Sequence, residues 1–169
     1  MNKMLIAMML MLNLHNSDQS LDISDIIKKS EKIASVKFDK DVMDNKYTAK
    51  KWVVCNRFVK NNDLSNILQD ANKGECVDST ASYSLNIDSY KQSETTNPIS
   101  MKADEDFNYV EVVTPCYDKK RNVFTTILWI KDKSYTSGFC ILVDYKVVKN
   151  KCIFIKGYPM VISDIQQID

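Results

Sequence analysis

The chain has 169 residues, of which 44% are hydrophobic and 27% charged, and its 23 Lys+Arg against 22 Asp+Glu leave a net charge of +1. That is globular composition at the length of one domain, long enough to form a core without a metal or a dense disulfide framework. The even balance gives no reason to propose a nucleic-acid partner or a polybasic membrane patch, and three glycines are too few for a Gly-rich phosphate loop.

The N-terminus opens on Met1-Asn2-Lys3, continues as the uncharged run Met4 to Leu12, and turns polar from His15 to Gln19. A basic start, a short apolar centre and a polar exit is the layout of an export signal. The run is too short to cross a bilayer, which takes about 20 apolar residues. Residues 1–17 are therefore read as a signal peptide and 18–169 as one domain of an exported, periplasmic or secreted protein. No small-x-small cleavage pattern follows the run. The competing reading is a cytoplasmic interaction domain whose first core helix is this segment.

Ser20 to Val36 reads as a helix, capped by Ser20, with Leu21, Ile23, Ile26, Ile27, Ile33 and Ala34 largely on one face. Met43 to Lys60 reads as a second helix, although Trp52-Val53-Val54-Cys55 is β-prone and leaves a strand open. Asn62 or Asp63 caps a third, with Leu64, Ile67, Leu68 and Ala71 inward and Gly74 as its stop.

After Gly74 the period changes to two. Tyr83, Leu85 and Ile87 share a face, and a polar, mobile loop is expected at about 89–105. Four strands follow, at about Phe107 to Cys116, Asn122 to Ile130, Tyr135 to Val148 and Cys152 to Tyr158. Their short connections imply antiparallel hairpins. Both faces of these strands carry apolar residues, so helices are expected to cover one face, and the loop, the tail or a partner the other.

The fold class expected is α+β, with two to three N-terminal helices on a four- to five-stranded antiparallel meander. By element order alone this is similar to cystatin-like and nuclear-transport-factor-like folds. No residue motif carries the likeness, and fold does not fix function.

The chemistry is mostly negative. The chain's single histidine is His15, in the leader. A mature protein without it has no Ser-His or Cys-His nucleophile pair, histidine zinc site or histidine proton shuttle. No Walker loop or Ser-x-x-Lys motif occurs. Asp104-Glu105-Asp106 reads as a solvated loop rather than a calcium loop or a glycosidase carboxylate. No catalytic residue, metal or cofactor is assigned.

Five cysteines occur, none at C-x-x-C spacing. In an exported chain Cys55–Cys76 is the first disulfide expected and Cys116–Cys152 the second. Cys116 is also the one cysteine with a basic neighbourhood. Tyr117 with Lys119, Lys120 and Arg121 forms the expected contact surface. The functional expectation is an exported, non-catalytic protein that binds another protein, as an inhibitor, an immunity factor or an envelope-assembly subunit. A small-ligand domain with a pocket between helices and sheet is the alternative.

Overall fold

The computed structural model describes residues 20–41, 51–72, 75–76, 84–87, 91–93, 107–131 and 138–160. The segment read as an export leader, His15, Gly74, most of the 89–105 loop and Asp104-Glu105-Asp106 lie outside the described residues.

The α+β meander does not form. The described elements are dominated by strands, and the sheet closes into a barrel. In chain order they are β1 (Ser20–Asp22), α1 (Ser24–Asp41), β2 (Lys51–Val59), α2 (Asn62–Asn72), β3 (Glu75–Cys76), β4 (Ser84–Asn86), β5 (Lys91–Ser93), β6 (Phe107–Val113), β7 (Cys116–Asp118), β8 (Val123–Lys131), β9 (Gly138–Val148) and β10 (Lys151–Met160). Seven strands form the ring, in the order β8-β6-β2-β4-β1-β10-β9 and back to β8. Strands β7 and β3 extend from β8, and β5 adds to β2.

The main correction concerns residues 51–59. A helix was expected there, and β2 runs there instead, parallel to β6. Trp52 and Val54 face the main core, while Val53 and Cys55 belong to a second cluster with Phe107 and Tyr109. A strand buried on both faces carries apolar residues at successive positions, so its period of two is lost and a helical spacing can be drawn through it.

Residues 20–22 are also a strand, parallel to β4. Helix α1 starts at Ser24, where the Asp22 carboxylate, rather than the Ser20 hydroxyl, accepts the Ser24 N–H at 3.0 Å. Helix α2 is capped by Asn61, whose Oδ1 accepts the Leu64 N–H at 3.0 Å, so the expected caps Asn62 and Asp63 lie inside it.

The four C-terminal strands match the expected order. Pairs β8–β9 and β9–β10 are antiparallel hairpin neighbours. The first expected strand is broken at Thr114-Pro115 into β6 and β7. Thr114 donates through both its N–H and its hydroxyl to the Val59 carbonyl, which ties this corner to the end of β2.

The ring is not equally well paired all round. Among the described residues β2 meets β4 at Arg57↔Ser84 and β1 meets β10 at Asp22↔Lys151. Beyond that last bridge, α1 packs against β10. Its Asp25 carboxylate accepts the Phe154 N–H at 3.0 Å, and Ile26, Ile27 and Ala34 join the same cluster as Val143, Tyr145 and Cys152. Contact is close at Gly157, where a β-carbon would stand 2.6 Å from Ile33 Cδ1 and 3.2 Å from the Phe154 ring.

Candidate interaction surface

The outward face of the barrel wall is built in two ways. Around Ile127 of β8 and Cys140 of β9 it is covered. Leu64 and Leu68 of α2 lie in one buried cluster with Val113, Cys116, Ile127 and Cys140. Nearby, Lys131 Nζ sits 2.8 Å from Glu111 Oε1, with the two side chains only 8% and 4% exposed, and 3.7 Å from the centre of the Trp129 ring. A buried pair of this kind is costly to break by removing one partner.

Over the β9–β10 ribbon the outward face is open. Residues Cys152 and Phe154 point into the main core opposite Val147 and Tyr145. Their neighbours therefore point out, because side chains alternate across a strand. Val148 is 54% exposed, Ile153 43%, Ile155 46% and Tyr158 40%. The register slips between Phe154 and Lys156, which places Lys156 opposite Asp144 and Tyr158 opposite Leu142. Such a bulge bends the strand and re-aims its side chains.

Lysines border these apolar groups. Lys146 lies opposite Ile153 and Lys151 opposite Val148. Lys146, Lys149, Lys151 and Lys156 are exposed. Lys156 Nζ stands 4.4 Å above the Tyr158 ring centre, within cation–π range. The two-residue turn Lys149-Asn150 takes φ of 49° and 63°. Two positive φ values are the signature of the tight hairpin turn that matches strand twist, and asparagine adopts them more readily than lysine.

The expected contact residues lie at the same end of the barrel, in the β7–β8 turn. Tyr117 and Arg121 are engaged within the protein. Tyr117 donates its hydroxyl to Asn122 Oδ1 at 2.6 Å and packs 4.8 Å from the Phe124 ring. Arg121 donates through Nε to Asp118 at 2.7 Å and through Nη1 to Asp144 at 2.6 Å, crossing β8 to reach β9. Thr125 donates to the second Asp144 oxygen at 2.6 Å. Hydrogen bonds from Arg121 hold the Asp118 carboxyl below its ordinary range, and Asp118 in turn raises the Arg121 guanidinium. Lys119 and Lys120 are exposed at the tip of the turn.

Neither expected disulfide is present. Cys55 and Cys152 are buried free thiols, as is Cys140. Cys55 belongs to the cluster outside β2, whereas Cys152 lies in the main core, on the opposite side of the wall from Cys116. Burial pushes Cys140 and Cys152 up to about 12, so both stay protonated at neutral pH and are poor nucleophiles. Cys116 instead lies at the ladder position opposite Cys76 between β3 and β7.

Sequence reasoning missed Val148, Ile153, Ile155 and the lysines of the ribbon. The signal was present: Cys152-Ile153-Phe154-Ile155 is apolar at both parities, and lysines bracket it at Lys151 and Lys156. No described helix is long and apolar enough to cross a membrane, and no group of His, Cys, Asp and Glu that could hold a metal was found among the described residues. No family model, curated protein or solved structure matches the chain.

Proposed function

We propose that this is an exported, non-catalytic protein that binds another protein, and that the outward face of the β9–β10 ribbon is its docking surface. One observation carries the reading. Val148, Ile153, Ile155 and Tyr158 are large apolar side chains left 40–54% exposed on one ribbon, while the outward residues Ile127 of β8 and Cys140 of β9 are buried in a cluster with Leu64 and Leu68 of α2. Scattered exposed apolar residues are ordinary, but a contiguous group rimmed by charge marks a binding site. Tyrosine and isoleucine on a strand lose little side-chain freedom when covered, which favours them as contacts.

The absence of catalysis is supported by how the described reactive groups are used. The buried thiols of Cys140 and Cys152 are held protonated. Asp118 and Asp144 are both bound by Arg121, and Glu111 is paired with Lys131. Export is supported by the charge and hydropathy layout of residues 1–19.

The test is a photo-cross-linking scan in the native source. A benzophenone side chain replaces Ile153, Tyr158 or, as a control on another exposed apolar position, Ile67 of α2. Discrete adducts of one mass from positions 153 and 158, with none from 67, are expected. Equal labelling at all three positions, or none at any, contradicts the reading.

A further inference from the structure

The charge on this face is one-sided, and we infer that the partner presents an acidic protein segment with apolar side chains among its carboxylates. The inference rests on the docking surface proposed above and names what it takes.

Residues 116–160 hold nine Lys or Arg against three Asp, in a chain whose total charge is only +1. The balance of the whole chain therefore conceals a basic segment. The described carboxylates at this end are engaged by the protein's own donors, including Asp144 on the outward face opposite Lys156. Asp118 and Asp144 hold Arg121. Asp22 accepts the Ser24 N–H and lies 3.8 Å from Lys151 Nζ. Asp25 accepts the Phe154 N–H. The lysines are more exposed than these carboxylates, Lys151 beside Asp22 included. Lys146, Lys149, Lys151 and Lys156 are exposed along the ribbon, and Lys119 and Lys120 extend the row from the neighbouring turn. Outwardly the face shows cations around an apolar strip, and charge complementarity calls for carboxylates around a matching strip.

Two features favour a protein over a lipid surface. The apolar groups lie along a strand face, behind a tip made of Lys149 and Asn150. A peripheral membrane site needs its apolar groups to lead, since they must pass about 5–10 Å into the headgroup boundary. Lys156 also lies over the Tyr158 ring, so cation and apolar surface are offered together at one point. The conformation of Lys149 agrees: a left-handed lysine is unfavourable where glycine or more asparagine would serve, and its charge gives the position a use.

The purified protein is titrated with a random glutamate–tyrosine copolymer rich in glutamate, and in parallel with heparin and with vesicles of phosphatidylserine and phosphatidylcholine. Preferential binding of the copolymer is expected, weakening about tenfold between about 0.05 M and about 0.5 M salt. In K146E/K149E/K156E the affinity falls at least about tenfold with the circular dichroism spectrum unchanged. K146Q/K149Q/K156Q, which removes charge without reversing it, gives an intermediate loss and separates charge from misfolding. Unchanged binding by both variants, no binding at all, or preference for heparin or vesicles overturns the inference. Adducts at position 153 that survive K146E/K149E/K156E in the native source would remove the acidic partner while leaving the docking surface. Absence of adducts at any position would remove the docking surface itself.

Discussion

Two stretches of the same barrel wall meet solvent on different terms. On β8 and β9 the outward residues Ile127 and Cys140 lie under Leu64 and Leu68 of α2. On β10 the outward residues Ile153, Ile155 and Tyr158 stay 40–46% exposed and are bordered by lysines. An apolar position covered by the chain itself contributes to stability. One that the chain leaves open contributes little until a partner covers it. The contrast separates residues that hold the fold from residues that use it, and it can be broken by mutation.

The largest expected effects lie on the covered side. Cys76 and Cys116 are directly opposed in an antiparallel ladder, a spacing that suits a cross-strand disulfide. Under non-reducing conditions the protein should be lighter by two hydrogens, with peptides containing Cys76 and Cys116 linked. Closing a loop of about 40 residues, that bond stabilises by about 4 kcal/mol in the chain-entropy model, and denaturant melts with and without reductant should differ accordingly. Leu68→Ala removes a fully buried anchor of α2 and should cost about 2–5 kcal/mol. Glu111→Ala removes the carboxylate from a buried ion pair with Lys131, at a cost of about 3–5 kcal/mol. On the open side, Ile153→Ser should change stability by less than about 0.5 kcal/mol. A loss comparable to that of Leu68→Ala would make the ribbon structural.

A medium effect tests the seam. Asp25→Ala removes the acceptor for the Phe154 N–H where β10 is flanked by a helix rather than a strand. It should cost about 1–3 kcal/mol, with faster hydrogen exchange along β10 and little change on β9.

The acid side of the stability profile should come from Asp118 and Asp22. Both carboxyls are held low in the folded protein. For Asp118 the cause is the Arg121 hydrogen bond, and for Asp22 the hydrogen bonds from Ser24 and the charge of Lys151 outweigh the upward push of burial. A carboxyl lowered by folding stabilises above its unfolded value of about 3.9 and loses that contribution as pH falls through its folded value. The melting temperature should be flat above about pH 5 and decline below about pH 4. Asp118→Asn should lower the plateau and flatten part of the decline. The smallest effect is of opposite sign: Lys149→Gly relieves a left-handed lysine and should stabilise by up to about 1 kcal/mol. If Lys149 is kept for its charge, the same variant should bind the partner less well.

The C-terminal half was legible in the sequence. Its hairpins are short, and turns such as Asp118 to Asn122 and Lys149-Asn150 end the strands where polar residues begin. Barrel closure was not legible, because it depends on β1 and β4, three-residue strands that meet in parallel far apart in the chain. Such short segments carry too few residues for a period to show. Residues 51–59 misled for the opposite reason, with apolar residues on both faces. Lys119, Lys120 and Arg121 fall in a turn between two strands, as their place in the chain implied. The sequence could not show that Arg121 crosses β8 to Asp144, or that Ile153, Ile155 and Tyr158 of β10 stay exposed.

The most direct test of the docking surface joins stability and contact in one variant. The triple substitution I153S/I155S/Y158S is made in a protein carrying a benzophenone at Val148, which is exposed on the same ribbon. The melting temperature of the free protein should stay within a few degrees of the parent, and the adduct seen from position 148 of the parent in the native source should disappear. Retention of the adduct at parental yield, or collapse of the fold, would contradict the assignment of this face to a partner.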